Sequence, residues 1–130
     1  MAGEVILLDT SILIDYFRKK NKRNSEFFQL FQTKKYLFAV SVITEYEVYI
    51  GATHDQKGFW DLLFGNMRLL EFNSQCAKEA VSIQKNLKLN NMMIAIPDLL
   101  IGATAKNNGL KIATKNTDHF RRIPGLSILE

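Results

Sequence analysis

Short apolar runs alternate along this chain with longer stretches whose apolar residues recur at helical spacing. Residues 5–8 and 36–42 are apolar almost without a break and rich in β-branched or aromatic side chains, the pattern of strands buried on both faces. Residues 110–114 read as a further buried strand, with weaker candidates at 67–72 and 126–129. Between them, Ile12, Leu13, Tyr16 and Phe17 fall on one helical face, and Phe27, Phe28, Leu30 and Phe31 on another behind a Ser25 N-cap. The spacing predicts helices over 44–52, with a stripe of Ile43, Tyr46 and Ile50, and over 55–64, whose aromatic face of Phe59, Trp60, Leu63 and Phe64 belongs to a core. Ser74 then caps a helix with Cys76, Ala80, Ile83 and Leu87 on its inner face. The last long helix carries Pro97 in its first turn and is closed by Gly109. Strands alternating with helices in one 130-residue domain imply an α/β fold with a mostly parallel sheet covered on both faces.

The polar residues interrupt this pattern at informative places. The first strand stops at Asp9-Thr10-Ser11. All three residue types are favoured helix caps, yet one cap accounts for only one of them. In parallel sheets the carboxyl edge is where ligands bind. Glu47 lies on the stripe of its helix, four residues from Ile43 and three from Ile50. A carboxylate facing inward costs several kcal/mol unless it is paired or ligates a metal. Asp98 follows Pro97 at a helix start, and the polar cluster Thr114, Lys115, Asn116, Thr117, Asp118, His119 follows the strand at 110–114. Asp9, Glu47, Asp98 and Asp118 each sit at a strand end or in the helix that follows, so the fold class brings all four to one edge.

Composition narrows the field. An apolar fraction of 47% with 23% charged residues is that of an ordinary globule, and no apolar run approaches the ~18 residues of a membrane span. Glu4 precedes the first hydrophobic run, unlike a signal peptide. Cys76 is the single cysteine, which rules out an internal disulfide, argues against a thiolate metal cluster and fits a reducing cytoplasm. The net charge of +4 is compatible with a polyanionic substrate or an acidic protein partner. The run from Arg18 to Arg23 reads as a solvated loop, and His54 as a surface residue. Arg18, Lys19, Lys115 and Arg121 are the candidate phosphate contacts, a kind of contact that positions a polyanion without reading a sequence.

Several carboxylates at one edge with little counter-charge need a cation to stay ionised together. Oxygen-only ligation points to Mg²⁺ or Mn²⁺. The chemistry is then metal-assisted phosphodiester hydrolysis, with a glutamate to position or deprotonate the attacking water. A buried Cys76 and two unplaced histidines give thiol or Ser-His-Asp schemes little support. A phosphatase of the haloacid-dehalogenase type needs an aspartate two residues after the first, where this chain has Ser11. A phospho-accepting receiver domain needs an acid pair after the first strand and an aspartate at the end of a central strand, where this chain has Ser41.

Four segments together resemble PIN-domain ribonucleases, and among them the VapC toxins of toxin–antitoxin pairs. They are Leu8-Asp9-Thr10-Ser11-Ile12-Leu13-Ile14-Asp15; Ser41-Val42-Ile43-Thr44 with Glu47 and Gly51; Asp98-Leu99-Leu100-Ile101-Gly102-Ala103-Thr104-Ala105 with Asn108-Gly109; and Thr114-Lys115-Asn116 with Phe120. The resemblance implies a three-layer α/β/α sandwich, usually homodimeric, with a Mg²⁺-dependent endoribonuclease site and an acidic antitoxin partner of the VapB type. Carried over by position, Asp9 and Asp98 match the metal-binding aspartates and Glu47 the catalytic glutamate, with Thr10, Ser11, Thr114 and Asn116 supporting the site. One departure stands out: His119 occupies the place before the phenylalanine where the family often has an acid. Asp118, one residue earlier, is the remaining candidate for the fourth acid and metal ligand. The competing function is a catalytically silent PIN-like module that binds RNA or protein.

Overall fold

The computed structural model describes residues 3–130. Its centre is β1 (Glu4–Leu8), flanked by β2 (Tyr36–Ser41) and β4 (Lys111–Ala113), with β3 (Arg68–Leu70) outside β2. Every pairing is parallel, in the order β3-β2-β1-β4. The chain moves from β1 outward through β2 and β3, then returns to lay β4 on the other side of β1. The strand order therefore reverses between β1 and β4, which is where a parallel sheet opens a crevice at its carboxyl edge.

Alternation along β1 divides the core. Ile6 and Leu8 face one side and Leu7 the other, as the strand period of two requires. The first side packs against α1 (Thr10–Arg18), α2 (Glu26–Gln32), α3 (Val42–Gly51) and α4 (Lys57–Gly65), through Leu13, Phe27, Val48 and Trp60. The second packs against α5 (Ser74–Leu89), α6 (Ile96–Asn107) and the short α7 (Thr117–Phe120), through Ile83, Leu87, Ile101 and Phe120. This is the expected three-layer α/β/α arrangement. The aromatic face of α4 lies in the core, Trp60 packing against Phe17, Phe59 and Phe64. No helix of the described residues is long and apolar enough to cross a membrane.

Several local expectations shift. The helix predicted at 55–64 becomes a 3₁₀ turn (His54–Gln56) leading into α4. Asn73, not Ser74, caps α5, its Oδ1 accepting the Cys76 N–H at 2.9 Å, because α5 begins one residue earlier than a Ser74 cap implies. The strand expected at 126–129 shrinks to one parallel bridge, Ile112 with Ile128. Lys22, within the basic run, is not a free surface charge. Its Nζ donates to the carbonyls of Tyr16 (2.8 Å) and Phe17 (3.0 Å), satisfying the open end of α1, and sits over the Tyr16 ring.

Two glycines set α6, which carries Asp98. A Cβ on Gly102 would come within 2.4 Å of the Ile123 Cδ1, so any larger residue there would force the buried Ile123 side chain to shift. Gly109, at φ +66°, supplies the left-handed residue that ends the segment after α6.

Candidate functional site

Asp9 follows β1 and Thr114 follows β4, so both sit at the crevice where the strand order reverses. The ladder register sets this pairing, with Leu8 beside Ala113 and the Asp9 N–H donating to the Ala113 carbonyl at 2.9 Å. Asp9 is 1% exposed. Its Oδ2 accepts from the Ser11 hydroxyl (2.7 Å) and the Thr114 hydroxyl (2.8 Å), and weakly from the Ser11 N–H (3.4 Å). Those hydroxyls are aimed in turn by the backbone: Lys115 N–H donates to Ser11 Oγ (3.0 Å) and Asn116 N–H to Thr114 Oγ1 (2.9 Å). Asp9 thus caps α1, but the cap bond is its weakest contact. Its other oxygen, Oδ1, is buried with no hydrogen-bond partner among the described residues.

Glu47 reaches the same edge from α3. The Thr10 hydroxyl donates to Glu47 Oε1 at 2.8 Å, and Thr10 Oγ1 also lies 2.9 Å from the hydroxyl of buried Thr44. Asp98, at the first turn of α6, completes the trio. Its carboxyl is held above the usual carboxylate range, chiefly by burial and then by the charges of Asp9 and Glu47, while His119 pulls it back down. The like-charge repulsion is the electrostatic mark of convergence: acids at positions 9, 47 and 98 act on one another. Among the described residues, no three acids, histidines or cysteines stand close enough to hold a metal ion unaided.

A family model described as PIN domain matches residues 6–126. The chain belongs to the PIN-domain family. Ribonuclease VapC1 of Methanocaldococcus jannaschii is 30% identical over 130 aligned residues, covering 96% of this chain and 87% of its own. Among solved structures, a toxin–antitoxin complex from Klebsiella pneumoniae matches at 30% identity with a TM-score of 0.75, over 93% of this chain and 94% of that one. A DNA-bound VapBC from Salmonella typhimurium matches at 25% identity with a TM-score of 0.79, covering 98% of both chains.

Within this PIN frame the predicted site residues sort cleanly. Asp9, Glu47, Asp98, Thr10, Ser11 and Thr114 come together; Asn116 joins through its backbone N–H rather than its side chain. Asp118 does not join them. Its side chain is 90% exposed and faces Arg121 at 3.9 Å, because a four-residue helix turns it away from Asp98. The predicted phosphate contacts are largely matched to acids of their own: Lys19 to Asp15 (3.7 Å), Lys115 to Asp15 (3.8 Å) and Glu26 (3.4 Å), and Arg121 to Glu130. Arg18 is exposed at the end of α1, lining with Lys19 and Lys115 a cleft that opens beside Ser11.

Helix α3 requires a correction. Tyr46 and Ile50 are 66% and 71% exposed, and the face turned inward is Thr44 and Val48. Apolar side chains occur on both sides of this helix, so periodicity alone chose the wrong one. Glu47 is half-buried at the edge of the true inner face, with a hydroxyl partner that meets its polar need. Two residues of the site were given no role in it by the sequence. Thr44 is marked only by its place in the segment Ser41-Val42-Ile43-Thr44. His119 was noted as a departure, but nothing along the chain placed it 3.6 Å from Asp98.

Proposed function

We propose that this PIN-domain chain is a metal-dependent endoribonuclease that hydrolyses RNA phosphodiester bonds at the edge formed by Asp9, Glu47 and Asp98. The observation that carries this is Asp9 Oδ1, a buried carboxylate oxygen without a donor among the described residues. Leaving such a group unsatisfied costs about 1–3 kcal/mol or more, and the neighbouring negative charges raise that cost. The donor set fits Mg²⁺ or Mn²⁺ held by Asp9 and Asp98, since such ions are commonly bound through one or two carboxylates with water filling the rest of the shell. When bound there, the ion would polarise a phosphoryl oxygen and acidify a water.

The chain's own groups divide the remaining work. Ser11 and Thr114 hold Asp9 in one orientation through Oδ2, leaving Oδ1 free. Thr10 fixes Glu47 through Oε1, leaving Oε2 to accept the proton of the attacking water. The water oxygen bonds to phosphorus, one ester P–O bond breaks, and the departing oxygen is protonated from solvent. The ribonuclease name of the Methanocaldococcus jannaschii relative supports RNA as the substrate.

The toxin–antitoxin complexes among the matching structures support a toxin role with an acidic antitoxin of the VapB type as partner, and the net charge of +4 suits such a partner. Tyr46 and Ile50, exposed one turn apart on α3, support a homodimer. A single buried thiol suits a cytoplasmic setting.

One observation favours the second reading, a silent RNA- or protein-binding module: Asp118 turns to solvent and leaves three acids where the sequence offered four. Purified protein freed of any partner separates the two. Cleavage of a structured RNA that requires Mg²⁺ or Mn²⁺ and stops with EDTA is expected of the nuclease; intact RNA with either ion present supports the silent module.

A further inference from the structure

His119 sets this acidic edge apart from an all-carboxylate one. It is the third residue of α7, its ring is 48% exposed, and its Nδ1 lies 3.6 Å from Asp98 Oδ2. The turn that carries the ring is fixed by more than this contact. Phe120, fully buried, anchors α7 against the core, and the N–H groups of His119 and Phe120 both donate to the Asn116 carbonyl. Asn116 N–H in turn donates to the Thr114 hydroxyl that binds Asp9, so the turn bearing His119 is tied to the same network. Neighbouring charges do not claim the ring. Asp118 and Glu130 pair with Arg121, and Arg122 donates to the Met93 carbonyl.

We infer that His119 supplies a nitrogen donor, beside Asp98, to the divalent cation of this site, and that the site therefore prefers Mn²⁺ to Mg²⁺. This rests on the metal-dependent reading given above. Adjacent donors on an octahedral ion with bonds of about 2.1 Å lie about 3 Å apart, so a separation of 3.6 Å needs only a small side-chain rotation to fit one. Imidazole nitrogen favours first-row transition ions, whereas Mg²⁺ keeps to oxygen and holds its waters. With Asp118 outside the site, no further carboxylate restores an oxygen-rich set on this side.

Pulsed electron paramagnetic resonance of Mn²⁺ bound to the protein, with no RNA present, reads the nitrogen directly. A ¹⁴N coupling is expected for the native chain and its loss for His119→Ala, with circular dichroism confirming that the fold of this half-exposed position is unchanged. Competition titrations of the two ions give the second measurement. The preference for Mn²⁺ over Mg²⁺ should fall roughly tenfold in His119→Ala, the scale on which metal sites respond to loss of a supporting partner. His119→Asp should retain Mn²⁺ without the coupling and narrow the preference likewise. Bound Mn²⁺ without a ¹⁴N coupling in the native chain, or a coupling that survives in His119→Ala, overturns this inference alone. No binding of either ion overturns it together with the metal-dependent reading beneath it.

Discussion

The two corners of the acidic edge are built on different principles. At the strand corner, Asp9 follows a parallel ladder whose register places Leu8 beside Ala113, and two hydroxyls with backbone-held orientations grip one of its oxygens. At the helix corner, Asp118, His119 and Arg121 lie in and just after a four-residue helix anchored by the buried side chain of Phe120. A residue at the end of a strand has its direction dictated by the pleat and by the strand beside it. One step along a helix turns a side chain by about 100°. That step is the whole difference between Asp118, which faces solvent, and His119, which faces Asp98. A single-residue displacement therefore exchanges an oxygen donor for a nitrogen donor.

The contrast can be broken most forcefully at the strand corner. Asp9→Asn should lower RNA cleavage by at least about 10³-fold, the scale of removing a group at a reacting centre, with an unchanged far-ultraviolet circular dichroism spectrum. Full cleavage by this variant would remove Asp9 from the mechanism. Next in size, Thr114→Val removes a donor to a buried carboxylate and orphans the Asn116 N–H, and should destabilise the protein by about 1–3 kcal/mol in urea unfolding.

Asp98→Asn probes the crowding between the corners. Burial, and then Asp9 and Glu47, hold the Asp98 carboxyl above its usual range, so folding favours its protonated form. In EDTA the stability that this proton confers is full below the ordinary carboxylate range and is lost as pH rises through the raised value. The variant should flatten that dependence on pH, seen in thermal unfolding at a series of pH values. Smallest of all, Asp118→Asn at the exposed end of the helix corner should leave cleavage within about twofold of native, in line with the small effect of surface substitutions. A large loss there would restore Asp118 as a fourth acid.

How much of this was legible along the chain depended on range. The strand at 5–8, its stop at Asp9 and the capping role of Ser25 were readable because each depends on neighbours a few residues away. The inner face of α3 was not, because Ile43, Tyr46 and Ile50 compete with Thr44 and Val48, and only the sheet beneath decides between them. The charge matching of Lys115 with Asp15 and Glu26 joins residues roughly a hundred positions apart, a distance no periodicity spans.

By itself the sequence determined the alternation of strands and helices, the order of the acids and the edge at which they gather, because hydrophobic period and residue type are local quantities. The tertiary structure alone decided that Asp9 keeps one oxygen bound and the other free, that Thr10 holds Glu47, and that His119 rather than Asp118 turns toward Asp98. Those outcomes depend on ångström distances between segments far apart in the chain, and such distances exist only once the sheet has set its register and the helices have packed against it.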